Sequence, residues 1–109
     1  MSYRETFFVT FPGVRALALH GELDAGTSRV LESAASMWIG TKGSLTIELD
    51  DLSFIDSTGV RSLMALAEGL LDGNLQLHNP QRNVGKVFEI LDIEAISNIK
   101  VVEQVDRPA

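Results

Sequence analysis

The 109-residue chain has no cysteine, which removes disulfides, thiolate nucleophiles and thiolate metal ligands from consideration. Histidine is nearly as scarce. His20 and His78 lie far apart, and neither stands in an HExxH-type spacing, so no structural metal and no resident cofactor are expected. Positive charge is thin as well: nine Lys and Arg against fifteen Asp and Glu give a net charge of -6. The cations are scattered rather than grouped, which argues against nucleic acid, because phosphates are held by clustered Lys and Arg that release counterions. No apolar run approaches the roughly 18 residues of a membrane span. The opening MSYRETFF carries charges where a leader peptide has its apolar region. These features predict a cytoplasmic protein. Linkers, internal repeats and low-complexity segments are also missing. The chain therefore reads as one domain over residues 1–109, ordered from about 5 to 103, with a frayed tail at Asp106–Ala109. At this length it can bury roughly two-thirds of the surface that the unfolded chain exposes.

What is present is strong patterning. Phe7, Val9 and Phe11 alternate with Phe8 and Thr10, Pro12-Gly13 turns the chain, and Val14 to Leu19 forms a second strand, so the first two strands read as a hairpin. Gly21-Glu22-Leu23-Asp24 interrupts the pattern. Thr27, Val30, Leu31, Ala34, Ala35 and Trp38 then recur at helical spacing, with Asp24 placed as an N-cap. Leu45, Ile47 and Leu49 alternate with Thr46, Glu48 and Asp50 in a third strand whose faces differ in polarity. Val60, Leu63, Met64, Ala67, Leu70 and Leu71 mark the clearest helix, stopped by Asp72-Gly73. A short strand at Leu75–Leu77, a third amphipathic helix through Val84, Val87, Phe88 and Leu91, and a last strand at Ile99–Val102 complete the chain. The class is α/β: a mixed sheet of four or five strands with three or more helices packed on it, near residues 25–38, 58–71 and 83–91.

The chemistry is concentrated in residues 53–59, SFIDSTG. Phe54 and Ile55 read as core, and the helix begins at Thr58-Gly59, so Asp56-Ser57 falls at a strand-to-helix turn. One of these polar residues would suffice as an N-cap, worth about 1 kcal/mol. Three polar residues and a glycine stand there instead. Gly59 costs up to ~1 kcal/mol relative to Ala inside a helix, so it either admits a close backbone approach or clears space beside the serine. A helix N-terminus also tolerates a phosphate, through free N–H groups and a partial positive charge. Asp56 opposes that by like-charge repulsion, so a phosphate on Ser57 is expected to act at an interface rather than on the fold.

The set GELD at 21–24, DDLSFIDSTGV at 50–60 and LQL at 75–77 followed by Asn79-Pro80 resembles the STAS family, specifically its bacterial anti-sigma factor antagonists. The resemblance runs from the first hairpin to Val102. It implies a STAS-like fold and a partner switch rather than an enzyme. In that family the unphosphorylated antagonist binds an anti-sigma factor that is also a serine kinase, and so frees a sigma factor for transcription. Phosphorylation of the serine matching Ser57 ends the binding, and a serine phosphatase restores it. Asp56, Thr58 and Gly59 would shape the loop, Asp24 would help form the docking surface, and ATP and magnesium would belong to the kinase. Arg61 departs from the glycine or small apolar residue expected there. It offers either a cation near a phosphate or a solvated charge. Gly69 inside the second helix reads as a close packing contact.

Two other classes compete. A hydrolase with Ser57 as nucleophile lacks the first glycine of G-x-S-x-G and an oxyanion-hole segment, and Asp56 would oppose the developing oxyanion. A STAS scaffold or transporter-associated subunit would dock a partner through a similar surface without being switched.

Overall fold

The computed structural model describes residues 7–96 and 98–103; the expected frayed tail lies outside them. The hairpin forms as the alternation dictates: β1 (Phe8–Gly13) pairs antiparallel with β2 (Ala16–Leu23). β3 (Leu45–Ile55), β4 (Leu75–His78) and β5 (Ile99–Val102) add in parallel, giving one five-stranded mixed sheet in the order β1-β2-β3-β4-β5. The helices are α1 (Ser28–Ala35), continued by a short 3-10 turn at Ser36–Trp38, α2 (Ser57–Gly69) and α3 (Arg82–Ile90). Their apolar stripes, including Leu31, Val60, Leu63, Val84 and Phe88, join Leu17, Leu19, Ile47, Leu49 and Leu77 of the strands in a single core. The opposite sheet face carries Ala16, Ala18, His20, Glu22, Thr46, Glu48, Gln76 and His78, all half-buried. This is the polarity difference that the third strand announces.

Three elements differ from expectation. Gly21 does not end β2. It takes φ 103°, stays buried, and the strand runs on to Leu23. β3 likewise continues through residues 50–55, and its register against β2 slips twice: Ala18 and His20 face Glu48 and Asp51, then Gly21 and Glu22 face Leu52 and Phe54. Each slip inserts an extra residue into β3, as a β-bulge does, and re-aims the side chains that follow. The carbonyls of Asp50 and Ser53 in this irregular stretch accept hydrogen bonds from Gln81 Nε2 and Asn83 Nδ2 at the start of α3, both at 2.7 Å.

The second helix stops at Gly69 rather than at Leu71. Leu70 turns extended as the C-cap, Leu71 bridges to Lys42, and Asp72 rather than Gly73 takes the left-handed conformation at φ 56°. Gly69 packs under Ile39, whose Cδ1 lies 2.6 Å from where a Cβ would stand, and its carbonyl accepts from Gly40 N–H at 2.7 Å. Among the described residues, no helix is long and apolar enough to cross a membrane.

Candidate functional site

The parallel pairing of β2 and β3 ends with Leu23 opposite Ile55, so the loops after those two strands emerge side by side at one end of the sheet. This brings together Asp24 on one loop with Asp56, Ser57, Thr58 and Gly59 on the other. The backbone N–H of Asp56 donates to the Leu23 carbonyl at 3.3 Å and ties the loops to each other.

Asp56 is the N-cap of α2. Its backbone is extended, and its Oδ1 accepts from Gly59 N–H at 2.9 Å. Ser57 is thereby the first helical residue rather than part of the turn. Its side chain is exposed, and its hydroxyl makes no hydrogen bond to another described residue. Thr58 is half-buried and Gly59 buried. Gly59 serves a close approach: a Cβ there would stand 2.6 Å from the Leu23 carbonyl oxygen and 2.8 Å from Ile55 Cγ1. Only a residue without a side chain lets the first turn of α2 sit against the end of β2. The cap itself is testable. Replacing Asp56 by Ala is expected to cost about 1 kcal/mol in urea unfolding, whereas Asp56→Asn, which keeps the acceptor oxygen, should recover most of that loss.

Asp24 does not cap α1. The cap position belongs to Thr27, because Ala25-Gly26 insert a turn between the strand and the helix. Asp24 shapes that turn instead. Its Oδ1 accepts from Gly26 N–H at 2.9 Å and from the Thr27 hydroxyl at 3.1 Å, and its carbonyl accepts from Ser28 N–H at 2.9 Å. The same Thr27 oxygen accepts from Asp24 N–H at 2.9 Å, closing a compact polar knot beside the Ser57 loop.

Arg61 lies one turn beyond Ser57 on α2, exposed and without a hydrogen bond or ion pair to another described residue. Phe54 is the residue that pattern reading misplaces: it is not core but 43% exposed, three positions before Ser57 and opposite Glu22 in register. The spacing of Leu49, Leu52 and Ile55, every third residue instead of every second, is the signal that could have revealed the bulged strand. His20 bonds Thr10 Oγ1 at 2.9 Å and Asp51 Oδ2 at 3.0 Å and stacks on Phe8, while His78 bonds Gln76 at 3.1 Å. Neither histidine bonds Ser57. The arrangement offers a presented hydroxyl on a firmly held helix start.

Comparison with known proteins agrees with this architecture. The family model for the STAS domain matches residues 8–106. No curated protein matches. Among solved structures, the chain is similar to an anti-sigma factor antagonist from Mycobacterium paratuberculosis, with 20% identity and a TM-score of 0.70 over 88% of this chain and 85% of the other. It is also similar to the anti-sigma factor antagonist SpoIIAA in its unphosphorylated form, at 23% identity and TM-score 0.58 over 88% and 87%. The phosphorylated form of SpoIIAA, described as a Bacillus cell fate determinant, matches at 19% identity and TM-score 0.56 over 93% of each chain.

Proposed function

The chain belongs to the STAS family, and on that premise we propose that it is a cytoplasmic anti-sigma factor antagonist switched by phosphorylation of Ser57. The unphosphorylated form binds a serine-kinase anti-sigma factor and frees a sigma factor. The kinase transfers a phosphoryl group from ATP to Ser57 and ends the interaction, and a serine phosphatase reverses the modification. The observation that carries this reading is the exposed Ser57 hydroxyl at the first position of α2, without a hydrogen bond among the described residues and beside an aspartate already committed to capping. Solved structures of a protein with this fold in unphosphorylated and phosphorylated forms support it.

The physics of the site gives the switch its direction. At the N-terminus of α2 a phosphate gains from the helix dipole and loses by repulsion from Asp56, terms of about 1 kcal/mol each. The fold should hardly respond. At an interface the same group adds about -1.5 to -2 charges to a surface that a partner must bury, next to Asp24 and Asp56. Without new cations on the partner, that burial costs several kcal/mol. Thr58 and Gly59 hold the loop, and Phe54 supplies apolar surface at its edge. Arg61 faces solvent one turn away, where it contacts the partner.

The reading is tested by incubating the protein with its cognate kinase, ATP and magnesium. One phosphate should appear, mapped by mass spectrometry to Ser57. Ser57→Ala should abolish it while retaining kinase binding. A phosphate on Thr58 or Ser53 would move the site, and no phosphate at all would remove the switch.

A further inference from the structure

We infer that the groove between α1 and α2 is the second half of the docking surface, receiving one bulky apolar side chain from a segment of the anti-sigma partner laid along α2. The inference rests on the function proposed above and adds to it a place and a chemistry of recognition.

The groove is a consequence of small residues on two parallel helices. Both α1 and α2 follow parallel neighbouring strands, so they run side by side in the same direction. Where they face each other, Ala35 on α1 meets Ser62 and Ala65 on α2, and the short side chains leave a hollow of about 170 Å³. Leu31 and Leu66 form its floor, 1% and 5% exposed. The volume is below the roughly 300–1,000 Å³ of small-molecule sites. It is close to the apolar cavity of about 150 Å³ that takes a benzene, so it suits a single aromatic or branched aliphatic side chain.

Continuity with the Ser57 loop identifies the occupant. Ser57, Arg61 and Ala65 are all exposed and fall at i, i+4 and i+8, one line along α2. Ala65 is also the groove's rim and stands about 12 Å along the helix from Ser57. A segment that covers Ser57 and follows this line meets Arg61 and reaches the groove within about two turns. The charges along the path are opposite in sign: Arg61 on α2, then Glu32 on the α1 wall. The fitting partner segment is amphipathic, with an acidic residue facing Arg61, a basic one facing Glu32 and an apolar anchor between Ala35 and Ala65. A second copy of this chain fits poorly, because each copy carries a net charge of -6.

The test fills the groove from its rim. Ala65→Trp is compared with wild type, Ala65→Ser and Ile90→Trp for binding to the purified kinase that phosphorylates the wild-type chain, by isothermal titration calorimetry. Ala65→Trp should retain the parent Tm and bind about 30-fold more weakly, as loss of a hot-spot anchor does. Ala65→Ser leaves the groove open, and Ile90→Trp places the same bulk on an exposed position of α3 outside the groove and off the Ser57–Arg61–Ala65 line; both should bind like the parent. Wild-type affinity in an Ala65→Trp protein of unchanged Tm overturns the inference. So does a concentration-dependent wild-type dimer that Ala65→Trp dissociates, since a second copy would then be the occupant. Wild-type protein that binds no such kinase would instead overturn the functional reading itself.

Discussion

Gly59→Ala is expected to destabilise the protein by about 2 to 3 kcal/mol, against the ordinary sign of a glycine-to-alanine change in a helix. Propensity alone would favour alanine by up to ~1 kcal/mol. The added methyl, however, would lie 2.6 Å from the Leu23 carbonyl oxygen and 2.8 Å from Ile55 Cγ1. The carbonyl is the less yielding neighbour, because it belongs to backbone at the end of the β2–β3 pairing and accepts the Asp56 N–H. To make room, the first turn of α2 must lift from the sheet, a change at the upper end of the 1–3 kcal/mol typical of overpacking, less the propensity gain. Thermal unfolding should show a Tm lower by roughly 10 °C. The lifted turn carries Ser57, so the variant should also be phosphorylated more slowly. A Gly59→Ala protein as stable as the parent would mean that the glycine does not serve this contact.

That contact also shows where sequence reading reaches its limit. The order of strands and helices, the hairpin and the helix at residues 60–69 were legible because periodicity of two and of 3.6 is written directly in Leu45, Ile47 and Leu49 and in Val60, Leu63 and Ala67. The strand-to-helix turn at Asp56-Ser57 was legible through its capping chemistry. The length of β3 was not, because two register slips break the alternation that defines a strand on paper. Phe54 was misplaced for the same reason: an apolar residue next to Ile55 reads as core until the bulge turns it outward. Asp24 has the composition of a cap, yet Ala25-Gly26 displace the helix start to Ser28, a local choice made by the turn. The two alternatives for Gly59 could be separated only by the Leu23 carbonyl, which lies on another strand and 36 positions earlier in sequence.

Phosphorylation of Ser57 is expected to weaken binding to the anti-sigma partner by about 150-fold, the equivalent of a ~3 kcal/mol penalty. The size follows from burying a dianion on a surface that also carries Asp56 and Asp24, with Arg61 one turn along α2. Ser57→Asp should move affinity the same way by a smaller factor, since aspartate carries one charge and lacks the third phosphate oxygen. Neither change should shift Tm appreciably, because the helix dipole and Asp56 act in opposite directions on the new charge. Loss of affinity without loss of stability distinguishes a switch at the interface from damage to the fold.

The central claim is tested most directly by one titration: purified kinase-type anti-sigma factor into the unphosphorylated protein and into the same protein stoichiometrically phosphorylated on Ser57, at one salt concentration. Tight binding of the first and binding about 150-fold weaker for the second, with matching Tm values, is the expected result. Equal affinity of the two forms would contradict it and leave a STAS domain that docks its partner without being switched.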